Sequence, residues 1–443
     1  MRFDSQMRAL AHHVVDALFD HVENVESRPV VDWRTSSELR KIVRQPGDAL
    51  AQIRKLTDYA IQLHHPMYIG HQVCPPFPSA VIADMVISTL NQSTAVFEMS
   101  PIGTVIEQEM VRWLADLAGY PAESLGTAVS GGSAANLTGL LAARARWRHE
   151  KRGDRPRVIC SADAHYSVAR AATIAGIPID DVVKIPTDDE HRIDIDALAK
   201  AMGDDVMAIV ATSGSTATGA FDDLRAIAAL RDRHRSWLHV DAAHGASVLL
   251  SPRLKHLVDG LDLADSLAWD PHKMLWMPLS FGVVLVRDGV WLRRAFEADA
   301  PYLFHAERAS DNLGELTIQC SKRADAIKLW LTLQMFGTGP FAEALKKVSD
   351  VTRHLYDVVA ASDDFEAMHV PHFNIFCFRH RSDDATNLRL REELIRGGEA
   401  WITSTILKER RVLRVTVINP RTEKLHVERM IEAVRQLARS RGR

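Results

Sequence analysis

Hydrophobic and polar positions change their period along this chain. From residue 1 to about 95 the pattern is mostly helical. Leu10, Val14, Ala17 and Leu18 recur at helical spacing, and a Pro- and Gly-containing stretch from Pro66 to Pro78 interrupts it. Val105 to Leu117 predicts a helix with Ile106, Met110, Trp113, Leu114 and Leu117 as its apolar stripe and Glu107, Glu109 and Arg112 largely off it. Gly119-Tyr120-Pro121 ends it. From Val158 onward, short apolar runs alternate with helical ones. Val158-Cys160, Val182-Ile185, Val206-Ala211, Trp237-Val240, Ser266-Trp269 and Phe281-Arg287 predict strands; Ser167-Gly176, Ile195-Met202 and Asp222-Arg233 predict helices between them. This alternation is the mark of a largely parallel, buried sheet in an α/β protein, and loops at its strand ends are the natural place for a site. A helical passage starting at Asp325 to Phe336 runs on toward Ala361. Phe373-Phe378 and Val412-Ile418 predict two more strands. Val427, Met430, Ile431, Val434 and Leu437 mark a final helix. The expected organisation is an N-terminal helical arm over 1–95, a large domain over 96–345 and a smaller C-terminal α/β domain over 346–443. No repeat and no low-complexity segment interrupts it.

Composition narrows the function classes. The 443 residues are 47% apolar and 25% charged, as in an ordinary globular protein. The net charge of −3 gives no electrostatic argument for nucleic acid or an anionic membrane as partner. Cys74, Cys160, Cys320 and Cys377 are scattered without a CxxC pair. That pattern supports neither a metal site nor a disulfide framework, and it suits a reducing compartment. Met1 to Leu10 does not read as a signal peptide, and the longest apolar runs are strand length. A cytoplasmic protein is expected.

The candidate chemistry lies at the predicted strand ends. Lys273 stands in Asp270-Pro271-His272-Lys273, and Asp241 follows the strand Trp237-Val240. A lysine in a desolvated pocket forms an imine with an electron-poor aldehyde. A carboxylate about thirty residues upstream can hold a pyridine nitrogen protonated, which makes the ring an electron sink. The rival readings are a solvated surface lysine and an aspartate that caps a turn. Ala243 is small enough to let a flat ring lie against the chain. Gly131-Gly132-Ser133-Ala134-Ala135 precedes a helix, so its first-turn N–H groups and the Ser133 hydroxyl can hold a phosphate. Alone, such a Gly-Ser turn is commonplace. Asn136 can reach the cofactor or brace the loop. His165 can stack on the ring face opposite Ala243, Thr216 can bond a ring substituent, and His272 can reach the phosphate or order the lysine.

On these residues the chain resembles the pyridoxal-phosphate-dependent amino acid decarboxylases of the aromatic amino acid, glutamate and cysteine sulfinate group. The likeness runs from about Leu63 to Leu437. It is carried by His65-Pro66, Ser100-Pro101 with Thr104 and Glu107, Trp113-Leu114, Gly131-Gly132-Ser133, His165-Tyr166-Ser167, His239-Val240-Asp241-Ala242-Ala243, Asp270-Pro271-His272-Lys273, and Leu413-Arg414 with Asn419. Tyr302-Leu303-Phe304 and Ile318-Gln319-Cys320 resemble the glutamate and cysteine sulfinate branch more than the aromatic one. The resemblance implies the aspartate-aminotransferase-like fold, known as fold type I, with a mostly parallel seven-stranded sheet. It also implies pyridoxal 5′-phosphate as cofactor, no metal, and a homodimer with sites at the subunit interface. It makes Lys273 the imine-forming lysine, Asp241 the partner of the pyridine nitrogen and His165 the stacking residue. Ala134, Ala135 and Asp270 would surround the phosphate. Thr216 would lie near the ring oxygen, with His65 and Arg414 toward the substrate.

The chain departs from the family pattern twice. Position 270 is Asp where many relatives carry Asn, and an aspartate near a phosphate is unfavourable unless another group compensates. The segment Phe304 to Ile318 is a few residues shorter than the mobile loop of the family decarboxylases. It also lacks their proton-donating tyrosine, since Tyr302 belongs to the flanking match. Its polar side chains are His305, Glu307, Arg308, Ser310, Asp311, Asn312, Glu315 and Thr317. The expected activity is α-decarboxylation of an L-amino acid to an amine, on an acidic or diamino substrate. A decarboxylation-coupled oxidative deaminase or transaminase giving an aldehyde is the alternative, with an inactive cofactor-binding homologue as a third reading.

Overall fold

The computed structural model describes residues 4–297 and 311–440. Tyr302-Leu303-Phe304, His305, Glu307, Arg308 and Ser310 lie outside the described residues. The chain forms two compact units. One comprises Pro76–Lys347 with Pro371–Phe373, and the other Met1–Pro75, Val348–Val370 and Asn374–Arg443.

The first unit is built on seven strands: β1 (Leu125–Val129), β2 (Arg157–Ser161), β3 (Val182–Ile185), β4 (Val206–Thr212), β5 (Trp237–Asp241), β6 (Ser266–Trp269) and β7 (Gly282–Val286). Their spatial order is β1-β7-β6-β5-β4-β2-β3. Only β7 is reversed: it pairs antiparallel with β1 and β6, and the other pairs are parallel. Strands β4, β5 and β7 are buried along their whole length, which is why they read as continuous apolar runs rather than alternating ones. The core includes Leu140, Trp147, Val158, Val210, Trp237, Val284 and Leu292. Each such side chain, fully buried, is worth about 1.5–3 kcal/mol.

Four helices of the N-terminal region are α1 (Ser5–Glu23), α2 (Ser36–Val43), α3 (Ala49–Tyr59) and α4 (Pro78–Leu90). The first three belong to the second unit and contain no buried residue. Helix α4 belongs to the sheet unit and is apolar on two sides. It buries Ser79, Ala80, Ala83 and Ile87, while Val81, Ile82, Met85, Val86 and Leu90 stay exposed. Three further helices position the site: α5 (Pro101–Leu117), α6 (Gly132–His149) and α7 (Tyr166–Ile174). Helix α6 carries Ala135, Gly139, Ala142 and Ala143 on its buried side, so it lies close to the sheet. A Cβ at Gly139 would stand 2.5 Å from the His239 ring.

The helical passage after Asp325 is two helices, Ala326–Phe336 and Gly339–Ala360. Gly337 ends the first with φ of 62°, a left-handed conformation glycine adopts freely. The second unit holds an antiparallel sheet in the order β10-β11-β9-β8. Its strands are β8 (Phe365–Ala367), β9 (Ile375–His380), β10 (Thr403–Leu407) and β11 (Arg410–Thr416).

Candidate active site

The strand directions decide where the chemistry gathers. Because β7 alone is reversed, β1, β2, β4, β5 and β6 all point their carboxyl ends at one edge of the sheet. Gly131 follows β1, His165 follows β2, Thr216 follows β4, Asp241 ends β5 and Asp270 to Lys273 follow β6. Gly282, the first residue of the reversed strand, arrives at the same edge. A Cβ there would lie 2.5 Å from Gly131 Cα and 2.7 Å from Asp270 Oδ1.

The loop after β1 runs into helix α6. Gly131 has φ of 151° and no side chain caps the helix; its carbonyl takes the Ala134 and Ala135 N–H groups, which leaves those of Gly132 and Ser133 to receive an anion. At Gly132 a Cβ would sit 2.9 Å from Ala243 Cβ and 3.0 Å from Asp270 Oδ2. The phosphate-type loop, the small residue after Asp241 and the lysine turn therefore meet at one point. Ser133 is exposed there, Ala134 half-buried and Ala135 buried. Lys273 Nζ lies 3.2 Å and His272 Nε2 lies 3.4 Å from Asp270 Oδ2. Asp270 Oδ1 is buried with no hydrogen-bond partner among the described residues. Its carboxylate thus faces two cationic or ionisable neighbours, which is the compensation an aspartate at this position requires. Burial pulls the His272 pKa down, against the pull of Asp270. His272 Nδ1 lies 2.8 Å from the Phe281 carbonyl oxygen, so this ring ties the lysine turn to the chain entering β7.

Asp241 is buried and braced. Its Oδ2 accepts from Asn136 Nδ2 at 2.8 Å and its Oδ1 accepts from the Ala243 N–H at 3.2 Å. The second contact is the turn-capping role weighed against a ring partner, and it occupies only one oxygen. Asn136 does more than brace the loop. Its Nδ2 also donates to Ser167 Oγ at 3.0 Å, and its Oδ1 lies 2.9 Å from His239 Nε2. His165 is the N-cap of α7: Nδ1 accepts from the Ser167 N–H at 3.3 Å and lies 2.8 Å from Ser167 Oγ. Burial lowers the His165 pKa, while the Asp241 charge raises it. Thr216 is half-buried in the turn after β4 and Ala243 is buried. Near Thr216, the Thr212 and Ser213 hydroxyls are buried without partners among the described residues.

His65 and Arg414 lie in the other unit. His65 Nδ1 accepts from the Met67 N–H at 3.0 Å, and burial lowers its pKa. Arg414 is on β11 opposite Thr403 of β10. Its guanidinium is buried and reaches Thr403 Oγ1 at 3.2 Å through Nη1, while Nε and Nη2 have no partner among the described residues. Burial pulls its pKa down. A buried arginine with two unspent donors is built for an anion that comes from outside the chain.

Ser266 and Ser213 are site residues that the sequence pattern did not single out, and Ser167 and His239 stood in matched runs without a role of their own. His239 alone carried a signal, an imidazole inside an otherwise apolar central strand. No group of three or more metal-ligating side chains occurs among the described residues. The donor set fits a phosphorylated, aldehyde-bearing pyridine: an uncapped helix start, a carboxylate with room for a ring nitrogen, a small residue on one face and a lysine.

Comparison with known proteins agrees with this chemistry. The family model described as the pyridoxal-dependent decarboxylase conserved domain matches residues 50–381. The L-2,4-diaminobutyrate decarboxylase of Acinetobacter baumannii is 31% identical over 396 residues, 82% of this chain and 78% of that protein. The aromatic-L-amino-acid decarboxylase of Bacillus atrophaeus is 29% identical over 460 residues, 98% of this chain and 95% of that protein. The crystal structure of mouse CSAD superposes with a TM-score of 0.88 at 26% identity, covering 97% of this chain and 98% of the other.

Proposed function

This chain belongs to the pyridoxal-dependent decarboxylase family, and from that premise we propose that it removes the α-carboxyl group of an acidic or diamino L-amino acid. It is a pyridoxal-phosphate-dependent carboxy-lyase of fold type I. Pyridoxal 5′-phosphate supplies an aldehyde for an amine to condense with and a ring that accepts the electron pair of the breaking bond. The observation that carries the reading is the meeting of Lys273, Asp241 and the start of α6 at one sheet edge.

Each side chain then has a task set by its chemistry. Lys273 offers the amine, and Asp270 beside it receives the proton-bearing form. Asp241, with Asn136 and the Ala243 N–H holding its oxygens in place, would keep a ring nitrogen protonated. The N–H groups of Gly132 and Ser133 with the Ser133 hydroxyl would hold the phosphate, Ala134 and Ala135 would surround it, and His272 orders the turn that carries the lysine. Ala243 and His165 would flank the ring, and Thr216, in a turn beside the buried Thr212 and Ser213 hydroxyls, would lie near its oxygen. Arg414, with two unspent donors, receives a substrate carboxylate, and His65 shapes the segment beside it. The relatives named above act on diaminobutyrate and on aromatic amino acids, so the chain's own substrate is set by side chains such as Arg414 rather than by family.

A second reading, carbon dioxide loss ending in an aldehyde, is favoured by one observation: Phe304 to Ile318 contains no tyrosine. A homodimer is part of the proposal. The exposed row Val81, Ile82, Met85, Val86 and Leu90 on α4 is apolar, and α1 to α3 bury nothing of their own. A cytoplasmic setting fits four cysteines that are all free thiols.

The test is borohydride reduction of the loaded protein followed by peptide mapping, with an amino acid panel scored for carbon dioxide, amine and aldehyde. Label on Lys273, carbon dioxide and amine are expected. Label elsewhere or none at all overturns the reading, and carbon dioxide with aldehyde selects the second one. Sedimentation of a monomer at assay concentration removes the dimer.

A further inference from the structure

Beneath the ring site runs a line of hydrogen bonds whose direction can be worked out from its fixed ends. Trp237 Nε1 bonds Ser266 Oγ at 2.7 Å, Ser266 Oγ bonds His239 Nδ1 at 2.7 Å, and His239 Nε2 bonds Asn136 Oδ1 at 2.9 Å. Asn136 Nδ2 then bonds both Asp241 Oδ2 at 2.8 Å and Ser167 Oγ at 3.0 Å. Ser167 Oγ and the Ser167 N–H both meet His165 Nδ1, at 2.8 and 3.3 Å. Seven residues from β5, β6, α6 and the start of α7 take part, and Trp237, Ser266, His239 and Asn136 are all buried.

Three groups in this line cannot reverse. An indole N–H only donates, a backbone N–H only donates, and an ionised carboxylate only accepts. Trp237 therefore takes one lone pair of Ser266, whose hydroxyl can still either give its proton to His239 Nδ1 or take one from it. The other end decides, because Asp241 takes a hydrogen of the Asn136 amide nitrogen, which turns the Asn136 oxygen toward His239 and puts that ring's proton on Nε2. His239 Nδ1 is then left to accept from Ser266, and the same Asn136 nitrogen also donates to Ser167. Burial keeps His239 neutral, with its pKa pulled from 6.5 to about 4, as a single-proton link requires. At the far end Ser167, already an acceptor, gives its own proton to His165 Nδ1, where its backbone N–H points too.

We propose that this chain, directed from Asp241 through Asn136, sets the proton positions of the site, holding His239 and His165 both as Nε2–H tautomers. His165 then presents a donor, not a base, at its outer nitrogen. Trp237, Ser266, His239 and Ser167 are positioning residues that act through Asn136, Asp241 and His165. The inference rests on the proposed function only in giving those three side chains a ring to serve.

The test is nitrogen-15 NMR of the holoenzyme labelled at histidine, with neutron diffraction of deuterated crystals as a second measurement. His165 and His239 should each show a protonated Nε2 and a bare Nδ1 near neutral pH. A proton on Nδ1 of either one overturns the proposal. In Ser266→Ala, His239 Nδ1 loses the donor it accepts from, which leaves the Asn136 oxygen alone to hold the tautomer. A second set of His239 resonances is expected, with kcat down by about tenfold, the scale of one buried hydrogen bond, and KM unchanged. A folded Ser266→Ala with wild-type His239 resonances also overturns it. Should that variant not fold, the wild-type nitrogens still decide. Borohydride labelling of Lys273 is run alongside. Labelled lysine with the wrong tautomer sinks only this inference, whereas unlabelled lysine sinks the parent reading and leaves the tautomers to be judged on their own.

Discussion

Replacing Lys322 by methionine should destabilise the sheet unit by about 3 kcal/mol, because it strands a carboxylate with almost no access to water. Glu107 on α5 is completely buried, and the Lys322 side chain is 2% exposed. Lys322 Nζ pairs with Glu107 Oε1. Burial pushes the lysine pKa down, and the glutamate charge pulls it back up. Removing one partner of a buried pair typically costs about 3–5 kcal/mol. The lower end applies here, since Glu107 keeps three other donors: Thr94 Oγ1 at 3.2 Å, Thr127 Oγ1 at 3.1 Å and the Ala128 N–H at 2.8 Å. Replacing both residues, as Glu107→Gln with Lys322→Met, should recover most of the loss, since neither charge of the pair is then left stranded. The assay is urea unfolding of the four proteins of the double-mutant cycle, with cofactor affinity measured on each. Affinity should fall along with stability in Lys322→Met, because Glu107 holds Thr127 and Ala128 of β1, the strand that runs into Gly131. A loss below about 1 kcal/mol in Lys322→Met, or a double variant as weak as the single one, refutes the reasoning.

Three shorter predictions follow from other parts of the site. Arg414→Met should leave the protein at least as stable, since it removes a buried cation with unspent donors, yet lower kcat/KM by roughly a hundredfold, the scale of lost charge-assisted hydrogen bonds; equal loss of stability and activity in unfolding and rate assays would contradict it. Gly132→Ala places a Cβ 2.9 Å from Ala243 Cβ and 3.0 Å from Asp270 Oδ2, so cofactor affinity by absorbance titration should fall at least tenfold while circular dichroism stays native. Stability should decline as pH falls from 6.5 toward 4, because folded His239 refuses the proton that the unfolded chain accepts. The full effect is about 3 kcal/mol from this histidine, and a flat urea-unfolding profile across that window would count against a buried neutral ring.

What could be read from the sequence was whatever declares itself locally. The strand cores Val206-Ala211, Trp237-Val240 and Ser266-Trp269 stand inside β4, β5 and β6, since strands buried on both faces need no partner's pattern to be seen. The lysine turn and the glycine loop were legible because each is a short motif with its own chemistry. Strand β1 was not predicted. Leu125-Gly126-Thr127-Ala128-Val129 has weak strand propensity, and its conformation depends on β7, with which Leu125 pairs at Val286. The short strands β8 and β10 were missed for the same reason, as edge strands defined by their neighbours. Ser266 was invisible and Ser167, though part of the His165-Tyr166-Ser167 match, had no role, because a serine becomes a relay member only through what the fold sets beside it. Arg414 was found through resemblance. Its unspent donors, the physical reason for interest in it, exist only in three dimensions.

The pairing of β1 with β7 also sets an order of events during synthesis. The glycine loop leaves the ribosome early, but the strand that backs it against the sheet ends at Val286 and emerges only after five other strands have been made. A nascent chain halted before that point has the helix that would receive the phosphate and lacks the floor beneath it. Vitamin B6 is therefore expected to enter only after β7 has paired with β1, rather than to guide the growing polypeptide. Cells starved of the vitamin should accumulate folded, colourless enzyme rather than aggregates.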